Sequence, residues 1–344
     1  MKRALAALAA LAVLAAPCAR ADEAARADET SFAGRPEVEA FIRELVARHA
    51  FDEGELRTVF ARARREDGVL TAARTQPAAL SRSWDEYRAI FVNERLVRTG
   101  LAFWREHRGQ LERARRNYGV PEEIIIAILG VETSYGRNTG RWRVIDALAT
   151  LAFDYPPRAP YFRGELENYL VFAREMEVDV FAVKGSYAGA IGIPQFMPTS
   201  YLRYAVDFDG DGVSDLSGNA ADAIGSVGNF LKHHGWRRGE PVQRGARVNG
   251  DSHGAYADGD PLPRHTLEEL TQAGIEPRGA PLPAGTRAVL LELRSPERPA
   301  EYRLGLQNFY VLTRYNRSVF YAMAVSDLAE TLRAARAKPK PAAR

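Results

Sequence analysis

Cysteine is almost missing from this chain: Cys18 is the only one in 344 residues. A lone thiol can close no intrachain disulfide and build no cysteine zinc cluster. Histidine is scarce too, with six residues and no HExxH pair, which excludes that catalytic zinc site. There is no GxSxG elbow, no GxGxxG turn and no GxxxxGK[ST] loop, so neither a serine hydrolase nor a nucleotide-binding enzyme is indicated. After the first 20 residues no apolar run reaches the roughly 18 residues that a membrane span needs. Charge of one sign is lacking as well. With 47 basic and 44 acidic residues, no strongly basic surface for nucleic acid is expected.

What is present begins with a processing signal. Met1, Lys2 and Arg3 supply positive charge, Ala4 to Ala16 is apolar, and Ala19-Arg20-Ala21 fits the small-x-small cleavage rule. Residues 1–21 therefore read as an export signal cleaved before Asp22, with the periplasm as destination. Pro17 stands before Cys18 where lipid attachment wants a small residue, which favours a soluble exported protein over a lipoprotein. Cleavage takes Lys2, Arg3 and Arg20 from the 47 basic residues and leaves them equal in number to the 44 acidic ones. A cysteine-free mature chain of this length is held by its cores alone.

Composition divides the remainder. Residues 22–33 are polar and small, as in a linker. Residues 34–115 carry helical spacings: Val38, Phe41, Ile42 and Leu45 after Pro36, then Leu56, Val59 and Phe60 behind Asp52-Glu53-Gly54-Glu55. Residues 68–77 read as a break, and Ser83 to Tyr87 precedes a long helix over about 93–118, stopped at Gly119. Residues 116–236 hold the candidate chemistry. Residues 237–308 are rich in Gly and Pro, with strand-like runs at 288–293 and 302–306, and read as a small β domain. Residues 309–334 read as a C-terminal helix packing back on the helical domain, and 335–344 as a basic tail. The fold class is mainly α, of α+β type.

The centre of the chain is Pro121 to Gly136, PEEIIIAILGVETSYG. Pro at the start, two acids in the first turn and a nearly unbroken apolar run predict a buried helix. Glu132 closes it. Apolar neighbours and the negative end of the helix dipole both disfavour its ionised form, so its pKa should rise toward that of a group protonated near neutral pH. A general acid has that property.

Residues 154–162 form a proline-stiffened stretch with three aromatics and Arg158, and 185–198 (GSYAGAIGIPQFMP) is dense in small residues that let backbone approach a ligand. Asp207, Asp209, Asp211 and Asp215 occupy positions 1, 3, 5 and 9 of an EF-hand-like loop, with Gly212 at 6 and the carbonyl of Val213 at 7. Hard oxygen donors at that spacing suit Ca2+. Position 12 is Gly218 instead of the usual Glu, so Asp222 is the nearest closing ligand.

ILGVETSYG, DYPPRAPYF, GSYAGAIGIPQFMPTSY, VDFDGDGVSDL and AIGSVGNFLKHHGW, in this order, resemble the lytic murein transglycosylase B family, glycoside hydrolase family 103. The resemblance is dense over 83–236 and returns at LTRYNRS, 312–318. It implies a lysozyme-like catalytic core beside the helical and β domains. It implies cleavage of the β-1,4 bond between N-acetylmuramic acid and N-acetylglucosamine in peptidoglycan, without water, to a 1,6-anhydromuramyl product. The family's catalytic Glu falls on Glu132. Its substrate-binding positions fall on Tyr87, Arg158, Ser186, Gln195, Phe230, Tyr315 and Asn316. Its calcium-type loop falls on Asp207, Asp209, Asp211, Val213 and Asp222. Phe230 stands where the family commonly has Tyr, and Pro157 where a second Arg is frequent. The expected partners are glycan strands and other envelope enzymes, and a monomer is expected.

Two other readings use the same residues. A lysozyme-type hydrolase would add a second carboxylate, Asp146 or Asp154, to position water. A non-catalytic peptidoglycan-binding scaffold would keep the calcium-braced fold and lose the chemistry.

Overall fold

The structure, a computed structural model, describes residues 30–79 and 83–337. The expected export signal, Cys18 and the residues from 338 lie outside the described residues. The end of the expected linker is docked: Phe32 is fully buried against Phe153, and Ser31 bridges Arg64.

The first helices are α1 (Pro36–His49), α2 (Glu53–Arg62) and α3 (Asp67–Ala79). α3 replaces the break expected at 68–77. Gly68 is there because a Cβ would meet the Trp142 ring at 2.5 Å, and a glycine required by close packing does not end a helix. Then come α4 (Trp84–Phe91), α5 (Glu94–Glu106) and α6 (Arg108–Tyr118). The expected long helix is thus two, broken at His107, and Ser83 to Tyr87 begins a helix of its own. Gly119 ends α6 in the left-handed conformation at φ 76°.

The buried helix is α7 (Glu122–Thr133), with Ile124 to Gly130 all buried. Its first acid is not solvated. Glu122 takes the Trp104 indole N–H at 2.6 Å and the guanidinium groups of Arg115 at 3.2 Å and Arg336 at 3.1 Å. Short strands β1 (Trp142–Arg143) and β2 (Lys184–Gly185) pair antiparallel beside α8 (Val144–Asp154) and α9 (Ala159–Glu175). The proline stretch is shorter than expected: one 3₁₀ turn, Pro156–Arg158, leads straight into α9. α10 (Pro198–Tyr204) and α11 (Ala220–His233) flank the acidic loop.

The small sheet has five strands in the order β4-β6-β7-β3-β5. They are β3 (Gln243–Val248), β4 (His265–Thr266), β5 (Ile275–Pro277), β6 (Arg287–Leu293) and β7 (Glu301–Gly305), with α12 (Leu267–Gln272) between β4 and β5. β6 is buried on both faces. Ala288 and Leu290 join a small core within the β region, while Val289, Leu291 and Leu293 join the main core. That main core extends from Phe32 to Leu332 and includes residues from every α-helix except α12, whose Leu270 joins the small core. The C-terminal stretch is two helices, α13 (Gln307–Tyr315) and α14 (Val319–Ala337), and α14 lies against α7, α4 and α5.

Candidate active site

The chain turns sharply where α7 ends. Ser134 and Tyr135 are both left-handed, at φ 51° and 64°, and their amides return to the carbonyls of Gly130 and Leu129. Thr133 Oγ1 donates to the Ile193 carbonyl at 2.8 Å and accepts from Gly136 N. The turn is over-determined, so Glu132 is held in one place. Its carboxyl is densely surrounded by protein, while the residue as a whole is half-buried.

Burial pushes the Glu132 carboxyl up to about 7, because a charge surrounded by apolar groups is poorly solvated. The opposing influence is the Tyr321 phenol, which donates to Glu132 Oε1 at 2.6 Å. No neighbouring carboxylate contributes to the shift, and among the described residues Glu132 makes no ion pair. Tyr321 lies in the first turn of α14, and its ring is parallel to that of Tyr315 at 6.4 Å. Burial, and secondarily the nearby Glu132 charge, hold both phenols well above the usual tyrosine range. They therefore stay protonated as donors.

Tyr315 donates to the Pro194 carbonyl at 2.5 Å. That ties α13 to the same small-residue turn that Thr133 grips. Gln195, left-handed at φ 53°, lies in this turn. Its Nε2 donates to the carbonyls of Gly192 at 2.8 Å and Thr139 at 3.1 Å. Asn316, exposed, marks the break between α13 and α14. Tyr87 on α4 is half-buried, 5.6 Å from the Phe320 ring next to Tyr321. Ser186 Oγ accepts the amides of Ala190 at 3.0 Å and Ala188 at 3.3 Å. Arg158 is exposed, its guanidinium 4.5 Å from the centre of the Tyr161 ring.

Phe230, the other aromatic among the expected substrate-binding residues, lies within a cluster of rings. It is only 5% exposed and packs among His234 at 4.1 Å, Tyr315 at 4.9 Å and Tyr204 at 5.1 Å. An aromatic enclosed in this way supports Tyr315 from behind. Phe162, 3% exposed, is core as well. Sequence reasoning placed Tyr321 in a helical pattern and missed its bond to the acid. The signal available was position: six residues after Tyr315, just beyond a helix break.

The two candidate second carboxylates are engaged elsewhere. Asp146, 1% exposed, holds Arg143 at 2.5 Å and the Arg64 amide at 2.9 Å. Asp154 holds Arg35 at 3.1 Å and Arg65 at 3.5 Å. Neither is among the groups that shift the Glu132 carboxyl.

In the acidic loop, carboxylate oxygens of Asp207, Asp209 and Asp211 lie within 4.8 Å of one another, all three residues exposed. Asp207 accepts the amides of Gly210 at 2.7 Å and Gly212 at 2.8 Å, and these bonds hold it below the usual carboxylate range. Asp211 accepts the Val213 amide at 2.9 Å. Asp222 stands outside that trio. Fully buried, it takes the Phe208 amide at 2.7 Å and the Asp215 amide at 2.8 Å, which ties the loop's start to its end.

A protonatable carboxyl at a helix end, met by a phenol donor beside a parallel pair of tyrosine rings, fits the lysozyme-like class of glycan-cleaving enzymes. Known proteins agree. The chain matches the family model described as Transglycosylase SLT domain over residues 33–330. It is 42% identical over 318 residues to the membrane-bound lytic murein transglycosylase B of Escherichia coli (strain K12), covering 89% of this chain and 85% of that protein. Among solved structures, the soluble lytic transglycosylase SltB1 of Pseudomonas aeruginosa superposes with a TM-score of 0.83 at 44% identity, covering 88% of this chain and 100% of that one. The Escherichia coli lytic transglycosylase Slt35 in complex with calcium superposes at 0.78 with 41% identity, covering 90% and 97%. The chain belongs to the transglycosylase SLT family: it is a lytic transglycosylase acting on murein.

Proposed function

We propose that Glu132 performs both proton transfers of a non-hydrolytic cleavage of peptidoglycan. In its neutral form it gives its proton to the glycosidic oxygen between N-acetylmuramic acid and N-acetylglucosamine as that bond breaks. The resulting carboxylate then takes the proton of the muramyl C6 hydroxyl as that oxygen bonds to C1. The enzyme regains its starting state, and the muramyl end is left as a 1,6-anhydro ring. Ordinary glycosidases need a second carboxylate as base or nucleophile. A sugar that supplies its own nucleophile does not. One observation carries the reading: burial raises the Glu132 carboxyl to about 7 while it accepts from Tyr321, and among the described residues no carboxylate contributes to that shift.

Tyr321 orients the acid and stabilises its ionised form between the two transfers. Tyr87 and Tyr315 offer ring faces to sugars, and Ser186, Gln195 and Asn316 offer hydrogen bonds, with Ser186 near the acetamido group. Arg158 meets lactyl or peptide carboxylates. Asp207, Asp209, Asp211, the Val213 carbonyl and Asp222 supply hard oxygens suited to calcium. The calcium complex of Slt35 and the close trio of carboxylates support that role. A bound ion would brace the loop that delivers Leu216 to the Ile193 amide. The amino-terminal pattern supports action in the periplasm, and among the described residues no helix is long and apolar enough to cross a membrane.

The test is Glu132→Gln. It should stop the clearing of purified sacculi while sacculus binding persists. Clearing that continues in this variant removes Glu132 from the mechanism.

A further inference from the structure

The β region has no residue in the chemistry above, yet it holds α4, the helix that carries Tyr87. This helix has eight residues, too few to be stable alone. Its free amino-terminal amides must be satisfied from outside the helix. The Trp84 amide donates to the Arg294 carbonyl at 2.9 Å, and the Asp85 amide to Ser295 Oγ at 3.1 Å. The third, Glu86, uses Ser83 within the helix's own capping box. Arg298 adds an ion pair to Asp85 at 3.2 Å. Two of three amides are thus capped by the turn joining β6 to β7.

That turn is built stiff. Pro296 and Pro299 fix two φ angles, Glu297 is left-handed at φ 60°, and Glu292 accepts from Arg294 and Tyr302 at its base. The far side of α4 rests on α14. Trp84, 2% exposed, lies 5.4 Å from Phe320, and Arg88 bonds Asp327 at 2.5 Å. Between these anchors α4 carries Tyr87 toward Phe320 and Tyr321.

We propose that the β6–β7 turn sets the position of α4 and thereby of the Tyr87 ring at the glycan groove, with Ser295 and Arg298 as positioning residues. The inference rests on the reading of Tyr87 as a sugar-facing ring. Without the turn's cap, the first turn of α4 frays and the ring loses its fixed distance from Glu132.

The experiment uses a Ser295→Ala/Arg298→Ala double variant of the full chain. Amide hydrogen exchange reads α4. Calorimetry in a Glu132→Gln background reads affinity for a tetrasaccharide of alternating N-acetylglucosamine and N-acetylmuramic acid. Loss of a helix cap of this kind should speed exchange at Asp85, whose acceptor is Ser295 Oγ, about ten-fold and weaken binding about five-fold. In the catalytically intact chain KM should rise while kcat changes less than two-fold. Added to Tyr87→Ala, the double substitution should weaken binding no further. Ser295→Thr, which keeps the hydroxyl, should bind as the parent does. Unchanged exchange overturns the inference and leaves the reading of Tyr87 standing. Faster exchange with unchanged affinity overturns both. An equal loss in the Tyr87→Ala background assigns the effect to general destabilisation and overturns the positioning role.

Discussion

The raised carboxyl at position 132 has a consequence for stability that can be measured without substrate. An exposed glutamate titrates near 4.5, whereas Glu132 in the fold titrates near 7. Below 4.5 both states are protonated and the fold loses nothing. As pH rises from 4.5 to 7 the unfolded chain ionises while the folded chain keeps its proton, so stability falls, and above 7 the loss levels off. At about 1.36 kcal/mol per pH unit the full difference is about 3 kcal/mol. Glu132 keeps some contact with water, which reduces the expected loss between pH 5 and 8.5 to about 2 kcal/mol. Glutamine cannot ionise, and its amide oxygen still accepts from Tyr321. Glu132→Gln should therefore match the parent in thermal unfolding at pH 5 and exceed it at pH 8.5 by about 3 °C. A melting difference that is the same at both pH values would refute the raised pKa, and with it the assignment of this residue as a general acid.

Tyr321→Phe removes the one bond that favours the ionised form of Glu132. The alkaline limb of the pH–kcat/KM profile should move up by as much as about one pH unit, while kcat falls. Asp222→Ala strands the Phe208 and Asp215 amides and should cost about 2–5 kcal/mol in denaturant unfolding. Calcium chelation should lower the melting temperature more than it lowers activity at low temperature, and no thermal shift with chelator counts against the metal assignment. Phe230→Ala should destabilise by about 3–5 kcal/mol. The milder Phe230→Leu should leave glycan affinity near the parent's, as suits a supporting ring.

The parts of the structure that were readable from sequence are those whose pattern is set locally. α7 is buried almost all round, so its apolar run is continuous, and the acid at its end stands out. The Asp207 loop is fixed by Asp and Gly at regular spacing. β6 is buried on both faces and reads as Ala288 to Leu293 without polar interruption except Glu292. By contrast β3, β4 and β5 are short or polar, and their pairing is decided by distant strands. α3 was hidden by Gly68, which packing against Trp142 requires. Phe230 and Tyr321 show the same limit within the site. Which aromatic faces the groove and which lies behind it depends on contacts made by residues far apart in the chain, between α11 and α13 for Phe230 and between α7 and α14 for Tyr321.

The central claim, that the muramyl sugar is its own nucleophile, is tested most directly by digesting purified peptidoglycan in ¹⁸O-water and weighing the new muramyl ends. Intramolecular capture leaves 1,6-anhydro ends that carry no ¹⁸O. Reducing muramic ends labelled with ¹⁸O would show that water attacks C1 and would contradict the account.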